Sequence, residues 1–145
     1  MSRIFWFLAT LLSCGLCKTR EYNLTVTSGL VSPDSGPERI GILINGKLGG
    51  PEITAEPGDT LKINITSGLM EYTDGFSEMS IHWHGFDMKG VPFLDGTGYM
   101  SQCPIEENES MIVEFVVKEE PGTYMYHSHT SVLVADGLAG PLVIQ

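Results

Sequence analysis

Beyond residue 20, apolar and polar side chains alternate in short runs separated by turn residues. In "LKINIT" (61–66), Leu61, Ile63 and Ile65 fall on one face and Lys62, Asn64 and Thr66 on the other. A period of two suits a half-buried strand, because successive side chains point to opposite faces of a sheet. "SMIVEFVV" (110–117) repeats the device, with Met111, Val113, Phe115 and Val117 inward and Glu114 outward. "EYNLTVTS" (21–28) alternates as well, "RIGILING" (39–46) ends at an Asn-Gly turn, and Pro57-Gly58-Asp59 opens the strand that follows. "PGTYMYHSHT" (121–130) and "GLAGPLVIQ" (137–145) are each bounded by glycine. No stretch keeps a helical period over three turns. Short strands at this spacing predict an all-β antiparallel sandwich or small barrel of Greek-key type. The 145 residues suffice for one domain with a real core, expected over residues 20–145.

The first 17 residues break the pattern. Arg3 supplies a positive start, "IFWFLATLL" (4–12) an apolar run, and "SCGLC" (13–17) small residues around a cut after Gly15 or Cys17. This is the form of a secretory signal peptide, and its apolar run is too short to span a bilayer. No other stretch qualifies as a membrane helix, so a soluble, exported product is expected. Three glycosylation sequons fit that address: "NLT" at Asn23, "NIT" at Asn64 and "NES" at Asn108. The chain ends on the apolar strand "PLVIQ" without a polar tail, which reads as a cut at a domain boundary.

Charge removes two function classes. The chain carries 8 basic and 18 acidic residues, and loss of Arg3 with the signal moves the net charge from −10 to −11. The acids are dispersed rather than gathered in a tail. Such a surface repels phosphate backbones and anionic lipid, so nucleic acid and membranes are not expected partners. Cysteine usage adds a puzzle. Cys14 and Cys17 lie in or at the edge of the signal, which leaves Cys103 alone in an oxidising compartment. It either joins two copies or pairs with sequence outside this chain.

The chain's four histidines form two H-x-H pairs, "IHWHG" (81–85) and "YHSHT" (126–130). Residues i and i+2 of a strand share a face, so His82 and His84 project together, about 6.6 Å apart along the strand. Trp83 then points to the core. The same geometry pairs His127 with His129 and sends Ser128 the other way. A lone histidine is more often a hydrogen-bonded surface residue than a ligand; two pairs that use every histidine point to metal. Imidazole suits zinc, copper, iron and nickel alike. A single zinc held by three histidines is one possibility. A blue-copper site needs a thiolate beside two histidines, and Cys103 is far from either pair. Four histidines without a carboxylate in either motif fit a polynuclear site better.

Two long segments, "HWHGFDMKGVPFLDGTGYMSQCPI" (82–105) and "GTYMYHSHTSVLVADGLAGPLVI" (122–144), resemble the first two copper-binding signatures of the multicopper oxidases, in their three-domain, laccase-like branch. The resemblance runs from about Glu21 to Gln145 and implies a cupredoxin-like Greek-key β-barrel as the N-terminal domain of a larger enzyme. It implies that His82 is a type 2 copper ligand, that His84 and His127 share one type 3 copper, and that His129 serves the other. Each H-x-H strand would then bridge two metals of a trinuclear cluster that reduces dioxygen to water. Asp95 in "LDG" matches an acidic residue kept near the cluster and associated with proton delivery, although an Asp before Gly also makes an ordinary turn. Cys103 in "QCPI" matches a cysteine that pairs far down the family's chain. Met88 departs from the pattern, standing where many members have Gln, at a position that is not a ligand.

What the resemblance leaves out matters as much. The type 1 copper that takes electrons from the reducing substrate, and the other half of the cluster's histidines, belong to the family's last domain, and no histidine follows His129. The expectation is a fragment that supplies half a cluster and is inactive alone; the substrate (phenol, ascorbate or ferrous iron) is not encoded here. Rival readings are a stand-alone copper- or zinc-binding module, a mononuclear zinc enzyme, and a homo-oligomer whose copies complete one another's sites.

Overall fold

The computed structural model describes residues 17–69 and 77–145, so the signal-peptide expectation for 1–17 lies almost wholly outside the described residues. Among the described residues eight strands follow one another: β1 Thr19–Val31, β2 Arg39–Ile44, β3 Ile53–Ala55, β4 Thr60–Gly68, β5 Ile81–His84, β6 Ser110–Val116, β7 Gly122–Ser128 and β8 Ala139–Ile144. They form two four-stranded sheets, ordered β2-β1-β4-β6 and β3-β8-β7-β5. The only helical element among the described residues is a 3₁₀ turn, Pro92–Leu94.

The alternation read from the sequence sets the faces. In β4, Leu61, Ile63 and Ile65 are buried while Lys62, Asn64 and Thr66 are half-exposed. In β6, Val113 and Phe115 are buried, Met111 packs against the core from its edge, and Glu114 is exposed. Leu24, Val26, Ile42 and Ile44 complete the inner face of the first sheet. Against them lie Ile53, Ile81, Trp83, Tyr126, Leu142 and Ile144 from the second, in one continuous cluster. Burial of each such large apolar side chain contributes roughly 1.5–3 kcal/mol. The Asn-Gly turn appears as expected. Asn45 and Gly46 both take positive φ (53° and 75°), which closes a two-residue hairpin.

The strand pairing departs from a purely antiparallel arrangement. β1 pairs parallel with β4, with Thr19 opposite Thr60, and β3 pairs parallel with β8. Both pairings join strands with long intervening stretches, which a hairpin count in the sequence cannot reveal. The antiparallel expectation therefore holds for β1/β2, β4/β6, β5/β7 and β7/β8 and fails for these two. The consequence for the site is direct. The segments carrying the two histidine pairs, 43 residues apart, become neighbours because β5 pairs with β7.

Candidate metal centre

In the β5/β7 register His82 stands opposite His127, Trp83 opposite Tyr126, and His84 opposite Met125. Trp83 and Tyr126 are buried to 0% exposure, which fixes the register: a slip by one residue would move both rings to solvent. The histidines therefore share the outer face of the second sheet. Tyr126 is locked further, donating its hydroxyl to the carbonyl of Pro51 at 2.8 Å, and burial pushes its phenol pKa upward.

Backbone carbonyls behind the rings decide which ring nitrogens are free. Nδ1 of His82 lies 2.8 Å from the backbone carbonyl of Asp95, and Nδ1 of His127 lies 2.8 Å from the carbonyl of Ser128. A carbonyl only accepts, so both Nδ1 atoms carry the hydrogen and both Nε2 atoms keep a lone pair. That is how a metal-binding imidazole is usually oriented, with its outer N–H on a backbone carbonyl. His84 differs: its Nδ1 faces Nε2 of His127 at 3.1 Å. That distance fits a hydrogen bond between the two rings. Two nitrogens at this separation also suit a common ion bonded to each at about 2.0–2.1 Å. The candidate ligand atoms of His82, His84 and His127 all lie within 4.8 Å of one another. The donor set, three imidazoles with two outer N–H groups held, fits a borderline transition metal such as copper.

His129 lies just past the end of β7 and is exposed. It does not join the group of three, yet its ring stacks on His127 (centroids 6.2 Å, 26°) and meets His82 edge-on at 5.4 Å. All four rings thus lie on one patch: alternation puts each pair on one face, and the β5/β7 pairing brings the two pairs together. The end of the strand is fixed by a buried polar latch: Thr130 N–H donates to Ser128 Oγ, that hydroxyl donates to Thr130 O, and the Thr130 hydroxyl meets Ser80 Oγ at 2.8 Å. The sequence reading missed this latch, although the Ser-x-Thr spacing of "SHT" was its signal.

Asp95 caps the 3₁₀ turn and reaches the site mainly through its backbone. Its carboxylate Oδ1 is 3.4 Å from His82 Nδ1, and Oδ2 accepts from the Thr97 hydroxyl at 2.9 Å. The preceding carbonyl, of Leu94, accepts the Trp83 indole N–H at 3.1 Å. Neighbouring rings on opposite faces of β5 are therefore held by consecutive carbonyls of one loop. Gly96 allows that approach. It takes φ +82°, and a Cβ there would sit 1.7 Å from the carbonyl oxygen of Ile81. An open cavity of about 560 Å³, lined by Pro92, Phe93, Asp95, Thr97, Met100 and Ser101, adjoins this loop.

The remaining candidates lie elsewhere. Cys103 is exposed, with a free thiol. Asn23, Asn64 and Asn108 belong to the first sheet and its turns, away from the histidines. Met88 is buried in the core at 8% exposure, so its difference from the family's Gln concerns packing. No helix among the described residues is long and apolar enough to cross a membrane.

Comparison with known proteins agrees with this geometry. The multicopper oxidase family model matches residues 25–145. Laccase-1 of Trametes villosa is 42% identical over 122 residues, 84% of this chain and 23% of that protein. Laccase-2 of Thanatephorus cucumeris is 41% identical over 138 residues, 95% of this chain and 23% of that protein. Among solved structures, the laccase of Botrytis aclada superposes with a TM-score of 0.81 at 39% identity, covering 89% of this chain and 23% of that one. Fet3p, a multicopper oxidase that functions in iron import, superposes at 0.80 with 33% identity, over 88% of this chain and 23% of its own. The chain spans about a quarter of the length of these relatives. A histidine patch fit for copper, on a two-sheet cupredoxin-like sandwich matched along most of its length, identifies the chain as a member of the multicopper oxidase family, in its laccase-like branch.

Proposed function

We propose that residues 20–145 form the N-terminal domain of a secreted, laccase-like multicopper oxidase and supply half of the histidine ligands of its trinuclear copper cluster. One observation carries the reading: three imidazoles from two strands bring their ligand atoms within 4.8 Å of one another, with the outer N–H of His82 and His127 held by carbonyls. His82 takes the type 2 copper, His84 and His127 share one type 3 copper, and His129 takes the other. The 3.1 Å approach of His84 to His127 supports giving those two one ion. The position of His129 just past the strand end, exposed and outside the group of three, supports giving it a separate one.

When bound, copper would supply the redox chemistry by which four electrons from a reducing substrate, with four protons, convert dioxygen to two waters. The chain's own residues orient ligands and handle protons. The Asp95 and Ser128 carbonyls hold two rings in the tautomer that frees Nε2. The Asp95 carboxylate, hydrogen-bonded by Thr97 and bordering an open cavity, serves as a proton carrier between solvent and the cluster. Further cupredoxin domains of the same polypeptide contribute the other ligands, the type 1 site and the choice of reducing substrate. The exposed thiol of Cys103 forms a disulfide with that remainder. Without those parts this chain binds metal and does not turn over.

Electron paramagnetic resonance of the full-length parent tests the assignment, because a type 2 copper is visible and a coupled type 3 pair is silent. His82→Ala should abolish the type 2 signal, whereas His84→Ala and His127→Ala should keep it and uncouple the pair. Equal loss of the signal in all three variants would overturn the assignment.

A further inference from the structure

The three sequons converge on the outer face of the first sheet, remote from the histidines. Asn23 on β1 and Asn64 on β4 are direct register partners, and so are their sequon threonines, Thr25 and Thr66. The Asn64 amide donates to Asn23 Oδ1 at 3.4 Å. The hydroxyl of the third sequon, Ser110, meets that of Thr66 at 2.9 Å. Asn108 itself sits apart on the turn before β6, exposed, at φ +62°.

From this juxtaposition we propose that Asn23 and Asn64 are one glycan position written twice: the folded protein carries an N-linked glycan on one or the other, never on both, while Asn108 is modified independently. Paired strands lie about 4.7–4.9 Å apart, and side chains in register leave the sheet side by side. The depression lined by Asn23, Asn64, Tyr22 and Ile112 is small, about 90 Å³. No sugar ring enters between the two amides. One glycan can lie outward over the exposed Ile112, which is opposite Asn64 on β6, and cover its apolar surface. A second, rooted one strand spacing away, would have to occupy the same volume. Glu21 and Lys62, in register one pleat away and 3.4 Å apart, limit sideways escape.

In the modification, a bond forms from C1 of the first sugar to the asparagine amide nitrogen. The C1–O bond to the lipid diphosphate donor breaks, the diphosphate leaves, and one amide proton is released. Transfer precedes folding, so the choice is enforced afterwards: a chain modified at both positions cannot close β1 on β4 and is retained. The singly modified sheet face is sugar-covered and solvent-facing, which leaves the opposite sheet, with the histidines, to meet other domains.

This inference rests on the secretory route of the proposed function, and Asn108 separates the two. The chain is expressed in a eukaryotic secretory host, and the exported protein is measured by intact mass and by glycopeptide mapping. The expected molecule bears two glycans, one at Asn108 and one shared by the pair. Thr25→Val and Thr66→Val should each leave two glycans and move occupancy to the other asparagine; the double variant should lose one. Asn64→Gln replaces Thr66→Val if loss of the Ser110 contact prevents export. Exported molecules with three glycans, or with Asn108 modified and both strand asparagines bare, would overturn the inference alone. An unexported chain bare at all three sites would overturn the secretory reading, and this inference with it.

Discussion

The backbone carbonyl of Asp95 holds Nδ1 of His82 at 2.8 Å, whereas Oδ1 of the same residue stands at 3.4 Å. Orientation of the ring and chemistry of the carboxyl are therefore separable in one residue. Asp95→Asn keeps the carbonyl and can still accept from Thr97, so metal affinity of the chain should stay within about threefold. In the proposed longer oxidase, oxygen consumption should nevertheless fall by about 10²–10⁴, the usual range for a lost proton-transfer group. Metal titration of the chain beside turnover of the parent checks the split. A loss of affinity as large as the loss of turnover would make Asp95 a positioning residue only.

The same loop depends on Gly96. Any side chain there meets the Ile81 carbonyl at 1.7 Å, on a backbone at φ +82°. Gly96→Ala should push the 92–97 segment off β5 and break the contacts to His82 and Trp83 together. The expected cost is more than about 2 kcal/mol of stability, from backbone strain and the loss of two part-buried hydrogen bonds. Metal affinity should fall about 10–100-fold, as for other outer-shell changes. Urea denaturation and metal titration of one preparation measure both.

His84 and His127 present two nitrogens 3.1 Å apart, so each is poor without the other. Removing either ring should weaken binding of the first copper equivalent by at least about 100-fold, since outer-shell changes alone reach that size. The double variant should lose little more than either single one, because one ion is lost once. Competition titration against a chromophoric chelator reads all three. Additive losses would mean that the two rings serve different ions.

How much of this was legible beforehand follows from the range of each interaction. The faces of β4 and β6 were readable because a period of two is local, and Trp83 could be placed in the core from its neighbours alone. That each histidine pair shares a face was also readable, since H-x-H fixes it whatever the strand pairs with; that the two pairs meet depends on the β5/β7 pairing. The parallel partners of β1 and β3 were not, because pairing across long loops leaves no periodic trace. The hold on His82 was half-visible: "LDG" drew attention to Asp95, but to its carboxyl and not to the carbonyl that holds the ring. Backbone acceptors carry no residue-type signature. The lockstep of Asn23 and Asn64 was invisible for the same reason as the β1/β4 pairing that creates it.

The β1/β4 pairing also supplies an acid-sensitive joint. Asp59, almost fully buried, accepts the Lys18 backbone N–H at 2.8 Å, the Arg20 guanidinium at 2.7 Å and the Glu56 N–H at 3.1 Å. The Lys18 hydrogen bond leads in holding its carboxyl down to about 2 from an ordinary 3.8, with Arg20 and Glu56 adding to it against the opposing effect of burial. A carboxyl that binds its proton more weakly when folded stabilises the fold while ionised. That contribution is complete above the ordinary carboxylate range and fades as pH falls from about 4 towards 2, because the unfolded chain then takes up the proton first. Asp59→Asn should cost about 1–3 kcal/mol at neutral pH, through mismatched donors around a buried site. It should also remove this group's share of the slope between pH 4 and 2. Urea midpoints of both proteins across that interval would show the two curves converging as pH falls; parallel curves would mean that Asp59 does not set the acid limit of the β1/β4 joint.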